Sequence, residues 1–334
     1  MTGCQYLKYL ILGSNSFAGA SLVNYLLTRE RGVVGVSRSA EPHPLLLVYA
    51  KNPHIKLFQF YQCDINTNFN ELTALINIEK PNFVIDFAGQ GMVAESWENP
   101  EQWYQTNFVS KVRLHNYLRQ CDFLKRYIRV STPEGYGNTD NAVDETKIFN
   151  PSTPYAVSHA AIDMSLKAFH QQYQFPVILT RFANFYGPHQ QLYRIIPRTI
   201  IYALTGKKLL LHGGGVSERA FIYGDDVARA IDCVIQRGKL GETYHFTSES
   251  PISIAKLVAK ICTQLNTDYD SLVSHAPERP GKDAVYCMKT DKAQNELGWL
   301  PKIDLEQGLN RTINWLCSNL SVIKTFPLEY IHKP

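Results

Sequence analysis

Tyr9-Leu10-Ile11-Leu12-Gly13-Ser14-Asn15-Ser16-Phe17-Ala18-Gly19 carries a strand-length apolar run straight into a glycine turn, and Ser21–Arg29 follows with helical spacing. Strand, glycine turn and helix in that order are what a pyrophosphate-binding βα unit requires. Gly13 permits the tight turn, Gly19 lets helix and strand approach closely, and free N–H groups at the helix start face the anion. Ser14, Asn15, Ser16, Phe17 and Ala18 between them are candidate cofactor contacts, with Ser16 standing where a middle glycine is usual. Apolar runs and helical periodicity alternate onward through Val33–Val36, Leu72–Ile78, Phe83–Phe87, Trp103–Cys121, Tyr127–Val130, Tyr155–Tyr173 and Val177–Thr180. That alternation predicts an α/β fold, a parallel sheet covered by helices, with continuous apolar strands buried on both faces.

After Gly187-Pro188 the rhythm loosens into a helix-like Ile196–Leu204, a strand-like Leu209–Leu211, Gly213-Gly214-Gly215 and an amphipathic helix capped by Ser253. Residues 1–185 with about 226–250 are expected to form the dinucleotide-binding domain; 186–225 and 251–334 form a smaller, interleaved α/β lobe. The chain of 334 residues, 45% hydrophobic, is long enough for both. A net charge of +4 spread without long runs argues against nucleic acid and leaves anionic small molecules as ligands. Seven cysteines scattered singly, without a C-x-x-C pair, indicate neither zinc nor disulfides and read as mostly core residues. There is no signal-peptide pattern and no apolar run of about 18 residues, so a cytoplasmic protein without membrane spans is expected.

At the end of the second strand, where a carboxylate usually meets the ribose of NAD, stands Ser37-Arg38-Ser39. A cation suits the extra phosphate of NADP, which favours NADP over NAD. Asp64, followed by Ile65, is a candidate acceptor for the adenine amino group, or a plain loop aspartate.

Val130-Ser131-Thr132-Pro133-Glu134-Gly135-Tyr136-Gly137 and Tyr155-Ala156-Val157-Ser158-His159 gather a hydroxyl, a carboxylate, a phenol and an imidazole. Tyr155 and His159 share one helix face. A phenol with a pKa near 10 needs a neighbouring cation to act as a base at neutral pH. Thr132 ends a strand at the carboxyl edge of the sheet, and its hydroxyl can reach the same substrate oxygen. Glu134 can take a proton from a carbon made acidic by an adjacent carbonyl.

With these landmarks the chain resembles the extended short-chain dehydrogenase/reductases, and within them the nucleotide-sugar 4,6-dehydratases and epimerases. Further matching stretches are Phe87-Ala88-Gly89-Gln90 with Asn107, Thr180 to Pro188, Arg219 to Val227, and Arg279-Pro280-Gly281-Lys282-Asp283. The resemblance implies a Rossmann-type doubly wound sheet, an NAD(P) cofactor touched also by Ala88, Gln90 and Asn107, and a nucleoside-diphosphate sugar held by Asn184, Arg194, Arg219 and Arg279. It implies a homodimer built from the Trp103–Cys121 and Tyr155–Tyr173 helices, for which Phe108, Val112 and Leu166 are either contacts or pure sheet-packing residues. It also implies a lyase reaction of transient C4 oxidation, C5 deprotonation by Glu134 and loss of water from C6.

Two residues depart from the family pattern. His159 occupies the position of a lysine that holds the nicotinamide ribose and lowers the tyrosine pKa; a protonated imidazole would do both, so His159→Lys is expected to retain or raise activity. Pro133 stands where deoxythymidine-type dehydratases carry the aspartic acid that protonates the C6 hydroxyl; mannose-type dehydratases resemble this chain in lacking that aspartate, and Glu134 is then left as both base and acid. Competing readings are an epimerase or decarboxylase, a 5,6-ene-forming enzyme, and a non-catalytic NAD(P)-binding sensor.

Overall fold

The computed structural model describes residues 7–139, 141–248, 251–277 and 285–333. Strands β1 (Tyr9–Leu12), β2 (Val33–Ser37), β3 (Phe58–Gln62), β4 (Phe83–Asp86), β5 (Arg126–Ser131) and β6 (Val177–Phe182) join Thr243–Phe246 in one seven-stranded sheet. In space the order is Thr243–Phe246, β6, β5, β4, β1, β2, β3, with every pair parallel. The chain reverses its direction of travel between β1 and β4, which opens a crevice at their carboxyl ends. Helix α1 (Phe17–Leu27) and the helix Gly224–Arg237 cover one face; α2 (Phe69–Glu79), α4 (Ser110–Leu118) and α5 (Pro154–Tyr173) cover the other, with α3 (Pro100–Tyr104) leading into α4. The doubly wound α/β fold is therefore as the sequence predicts. A second core, formed by Ile196, Ile200, Leu257, Ile261 and Leu309, belongs to the smaller lobe, and Ser253 caps the helix Ile254–Leu265 by accepting from Lys256 N–H.

Four sequence expectations change. Strand β3 is absent from the apolar runs read in the sequence: it pairs only with β2 at the sheet edge, and its side chains are half-buried or exposed. The expected helix Trp103–Cys121 is broken by a π-turn at Gln105–Val109, which turns Asn107 inward. Its Oδ1 accepts from Gln90 N–H at 2.8 Å, and its amide donates to Ser158 Oγ at 3.0 Å. Leu166 is fully buried against the sheet, so it is not available to a partner subunit, and Phe108 and Val112 pack against the same core. Of the six cysteines described, only Cys63 and Cys262 are buried.

The central strands also carry charge. Register sets Asp86 beside Arg129 across β4 and β5, and Ser131 beside Arg181 across β5 and β6. Asp86, Lys111, Arg129, Asp163 and Arg181 are each at most 1% exposed. Lys111 Nζ bonds Asp86 at 2.5 Å, Arg129 Nη1 reaches Asp86 Oδ2 at 3.2 Å, and Arg181 Nη1 reaches Asp163 Oδ2 at 2.7 Å. Burial raises the Asp86 carboxyl, yet Lys111 and Arg129 outweigh it and hold it down at about 2. No helix of the described residues is long and apolar enough to cross a membrane.

Burial holds His115 and His245 down at about 3. An unfolded imidazole titrates near ~6.5, so the unfolded chain binds more protons between those values. The stability is fully present above the unfolded value and is lost as pH falls toward 3. Each site is expected to remove roughly 2 kcal/mol between about pH 7 and pH 5. Urea titrations should therefore give a lower midpoint at the acid pH. His115→Phe, in a ring environment of Tyr127, Phe169 and Phe175, should shrink the difference; an unchanged slope would exclude His115 as a source.

Candidate active site

At the β1 end of the crevice the chain turns at Gly13, whose φ is +81°. A Cβ on Gly13 would lie 2.8 Å from Ala88 N, and one on Gly19 would lie 2.3 Å from the Gly13 carbonyl oxygen. Ser16, in place of a glycine, has gained a role: it caps α1, accepting from Gly19 N–H at 3.0 Å. Phe17 and Ala18, which open the helix, line the cleft with Ser16. Asn15 turns away to bond the carbonyls of Ser39 and Ala40 at 2.9 and 3.1 Å, and buried Ser14 packs against Ser37. The turn thus has the close approach and helix start that a dinucleotide pyrophosphate needs.

The cleft, about 840 Å³, runs from this turn to the smaller lobe. Arg38, Ala88 and Gln90 line its cofactor side; Asp64 and Ile65 do not. Asp64 Oδ1 accepts from Asn66 N–H at 2.8 Å, and Ile65 packs on the core. Gly13, Gly19 and Asn107 sit behind the wall and shape it. Two buried oxygens in the lining, Gln190 Oε1 and Glu95 Oε2, have no hydrogen-bond partner in the described structure, which suits ligand hydroxyls.

One feature of this wall had no sequence signal. Residues 327–333 cross from the smaller lobe to the cofactor side. Glu329 pairs with Arg198 at 2.7 Å, Tyr330 packs edge-on to Tyr193, and His332 stacks on Trp103 with ring centroids 5.3 Å apart. The Lys333 carbonyl then accepts from Arg38 Nη1 at 3.0 Å and Gln90 Nε2 at 2.8 Å. This strap engages the guanidinium on which the NADP preference was based.

Thr132, Glu134, Tyr155 and His159 all line the cleft. Strand β5 ends at Ser131, and Thr132 caps a short turn, accepting from Glu134 N–H at 3.2 Å. Arg181 anchors this segment by donating to the Thr132 carbonyl at 2.9 Å and Ser131 Oγ at 3.1 Å. Thr153 caps α5 with Pro154 behind it, so Tyr155 and His159 lie in the first turns of the helix, their rings 4.5 Å apart. Burial and then the Glu134 charge push the Tyr155 hydroxyl up, while a hydrogen bond from Thr132 and the charges of Arg194 and Arg129 pull against them.

His159 is where the sequence expectation changes most. Its Nδ1 lies 3.0 Å from Arg129 Nη2. A guanidinium can only donate, so Nδ1 presents a lone pair and the ring is neutral with its proton on Nε2. Burial and the charges of Arg129, Lys111 and Arg181 hold it well below the ordinary imidazole value. The imidazole is therefore not the cation of the site.

Across the cleft stand Asn184, Arg194 and Arg219, joined by Arg198; Arg279 lies outside the described residues. Sequence reading also passed over Tyr286. Its hydroxyl accepts from Asn184 at 3.4 Å, Arg219 lies over its ring at 4.5 Å, and burial and then the Glu134 charge push that hydroxyl up. Among the described residues, no cluster of His, Cys, Asp and Glu is arranged to hold a metal.

The sequence model of the family described as GDP-mannose 4,6 dehydratase matches residues 10–312. The dTDP-D-glucose 4,6-dehydratase of Mus musculus is 32% identical over 286 residues, covering 81% of this chain and 79% of its own. That of Haemophilus influenzae is 29% identical over 339 residues, covering 94% and 99%. Among solved structures, the dTDP-glucose 4,6-dehydratase of Streptomyces venezuelae with bound NAD superposes with a TM-score of 0.87 at 27% identity, covering 95% of this chain and 98% of its own. The Thermotoga maritima UDP-glucose 4-epimerase reaches 0.85 at 25%, covering 94% and 100%.

Gly19→Ala is expected to weaken cofactor binding at least about 10-fold and to lower the melting temperature by several degrees, since its Cβ must displace backbone. Calorimetric titration with NAD and thermal melts check this; native affinity in the variant would remove the turn from the cofactor site.

Proposed function

The chain belongs to the GDP-mannose 4,6-dehydratase family of extended short-chain dehydrogenase/reductases, and on that premise we propose that it converts a nucleoside-diphosphate hexose to the 4-keto-6-deoxy sugar. The observation that carries the reading is the meeting of Thr132, Glu134 and Tyr155 in one cleft beside the glycine turn. A 4-epimerase has no use for a carboxylate at Glu134, whereas an elimination needs a base for C5.

When bound, the nicotinamide supplies an acceptor for the C4 hydride and the same hydride for C6. Tyr155 takes the C4 hydroxyl proton, with Thr132 hydrogen-bonded to that oxygen. The new ketone acidifies C5, and Glu134 takes the C5 proton. Pro133 has no proton to give, so Glu134 hands the proton it holds to the C6 hydroxyl, which leaves as water. The O4 proton goes to solvent from Tyr155 and C5 is reprotonated from solvent, so one water is lost overall. Arg194 and Arg219 with Asn184 suit a diphosphate, as guanidinium forks do, and Arg279 is proposed to join them.

The proposed cofactor is NAD. Arg38 is engaged by the Lys333 carbonyl, and a 2′-phosphate would have to displace that bond. The proposed homodimer uses the outer face of α5 and of the π-turn that leads into α4, where Val157, Met164 and Val109 are exposed.

Mass spectrometry of products from a panel of nucleoside-diphosphate hexoses is expected to show loss of 18 mass units, about the mass of one water, as elimination demands, and Glu134→Gln should slow product formation at least about 100-fold while C4 oxidation persists. Deuterium entering C5 without loss of the C6 oxygen would identify an epimerase instead. Enzyme reconstituted with NAD should turn over at least about 10-fold faster than with NADP, a margin of about 1.4 kcal/mol; equal rates would return Arg38 to the role of a phosphate ligand.

A further inference from the structure

We propose that Arg129 is a positioning residue for the redox step, supplying through His159 the positive charge that the family's lysine supplies directly. The inference rests on the dehydratase reading for the identity of the step, and on geometry for the rest.

Arg129 is on β5, beneath the first turns of α5, and both it and His159 line the cleft. Its Nη2 meets His159 Nδ1 at 3.0 Å. That bond fixes the tautomer, so Nε2 carries the only imidazole proton, the edge left for a ribose hydroxyl or the tyrosine oxygen. A cation on Nδ1 also polarises the ring and strengthens the Nε2–H donor. His159 thus relays a charge it does not carry.

The charge is available because its neighbours are engaged elsewhere. On β4, Asp86 is held by Lys111 of α4 at 2.5 Å and by the Tyr127 hydroxyl of β5 at 2.7 Å, leaving Arg129 the longer contact of 3.2 Å. On α5, Asp163 is held by Arg181 of β6 at 2.7 Å and by Ser131 at 2.6 Å, and stands 4.0 Å from Arg129 Nε. Among the described residues, Arg129 Nε has no hydrogen-bond partner. The group facing Arg129 without an opposing charge is His159, and Tyr155 feels the field: Arg129 is among the charges pulling its hydroxyl down.

This reverses the simple expectation for a lysine at position 159. In the native chain such an ammonium would meet the Arg129 guanidinium head-on, so His159→Lys should impair the enzyme unless Arg129 is neutralised as well.

The experiment compares wild type, Arg129→Gln, His159→Lys and the double variant as holoenzymes. Single-turnover C4 oxidation is followed by nicotinamide absorbance across pH, with thermal melts and KM alongside. Arg129→Gln is expected to lower the oxidation rate about 10- to 100-fold at similar KM and to move its profile alkaline by about one unit, the range of a positioned proton-transfer partner. The double variant should recover to within about fivefold of wild type, while His159→Lys alone stays below it. A merely structural Arg129 would not be rescued by a lysine on another element, so a double variant no faster than Arg129→Gln overturns the proposal.

Should Arg129→Gln fail to fold, imidazole nitrogen NMR of the wild type decides. One Nε2-protonated neutral tautomer, without titration from about pH 5 to 9, supports the relay; an imidazolium near neutral pH overturns it. That readout does not depend on the substrate, so absence of dehydrated product from the wild type would sink the dehydratase reading and leave the Arg129–His159 test standing.

Discussion

Five charged side chains buried between the central strands and the helices above them constrain most of what this protein can do. Asp86, Lys111, Arg129, Asp163 and Arg181 join β4, β5 and β6 to α4 and α5. Such a cluster is weak evidence for stability, because desolvating each ion offsets much of the attraction, whereas removing one partner costs about 3–5 kcal/mol by stranding another. What it provides is geometry. Apolar side chains in these places would tolerate small slips of helix on sheet; paired charges with defined hydrogen bonds do not.

That rigidity is passed to the chemistry. Arg181 bonds Asp163 in the core and the Thr132 carbonyl at the cleft, so the reactive turn after β5 is tied to the helix that carries Tyr155 and His159. Thr132 then organises Glu134 through its backbone N–H, and the cap at Thr153 sets where α5 begins. The hydroxyl, carboxylate and phenol of the proposed reaction are fixed by elements whose own positions were settled deeper in the molecule, an arrangement that suits preorganised catalysis.

The two departures from the family pattern have different physical answers. Lysine to histidine is compatible with a cation close behind the imidazole, and β5 offers one in Arg129. Proline in place of an acid removes a proton donor outright, and two phenols that feel the Glu134 charge, Tyr155 and Tyr286, are both pushed upward by burial and by Glu134 itself. The strap at residues 327–333 forms part of the cleft wall and brings a backbone carbonyl to Arg38.

The glycine turn, the alternation of strand and helix, and the set Thr132, Glu134, Tyr155 and His159 were all legible in the sequence, because each rests on local periodicity or short spacing along one element. Edge strand β3, the π-turn that aims Asn107, and the burial of Leu166 were not, since each depends on which neighbour the segment meets. Arg129 shows the limit best. Within an apolar strand it reads as an exception to hydrophobic patterning, and nothing local to it names a partner. Only the parallel register that brings Asp86 alongside, and the crossing of α5 that brings His159 above, decide that its charge is buried and directed at the site. Contacts between residues 30 or more positions apart are set by packing of whole elements, and that information is carried by the tertiary structure rather than by any stretch of chain.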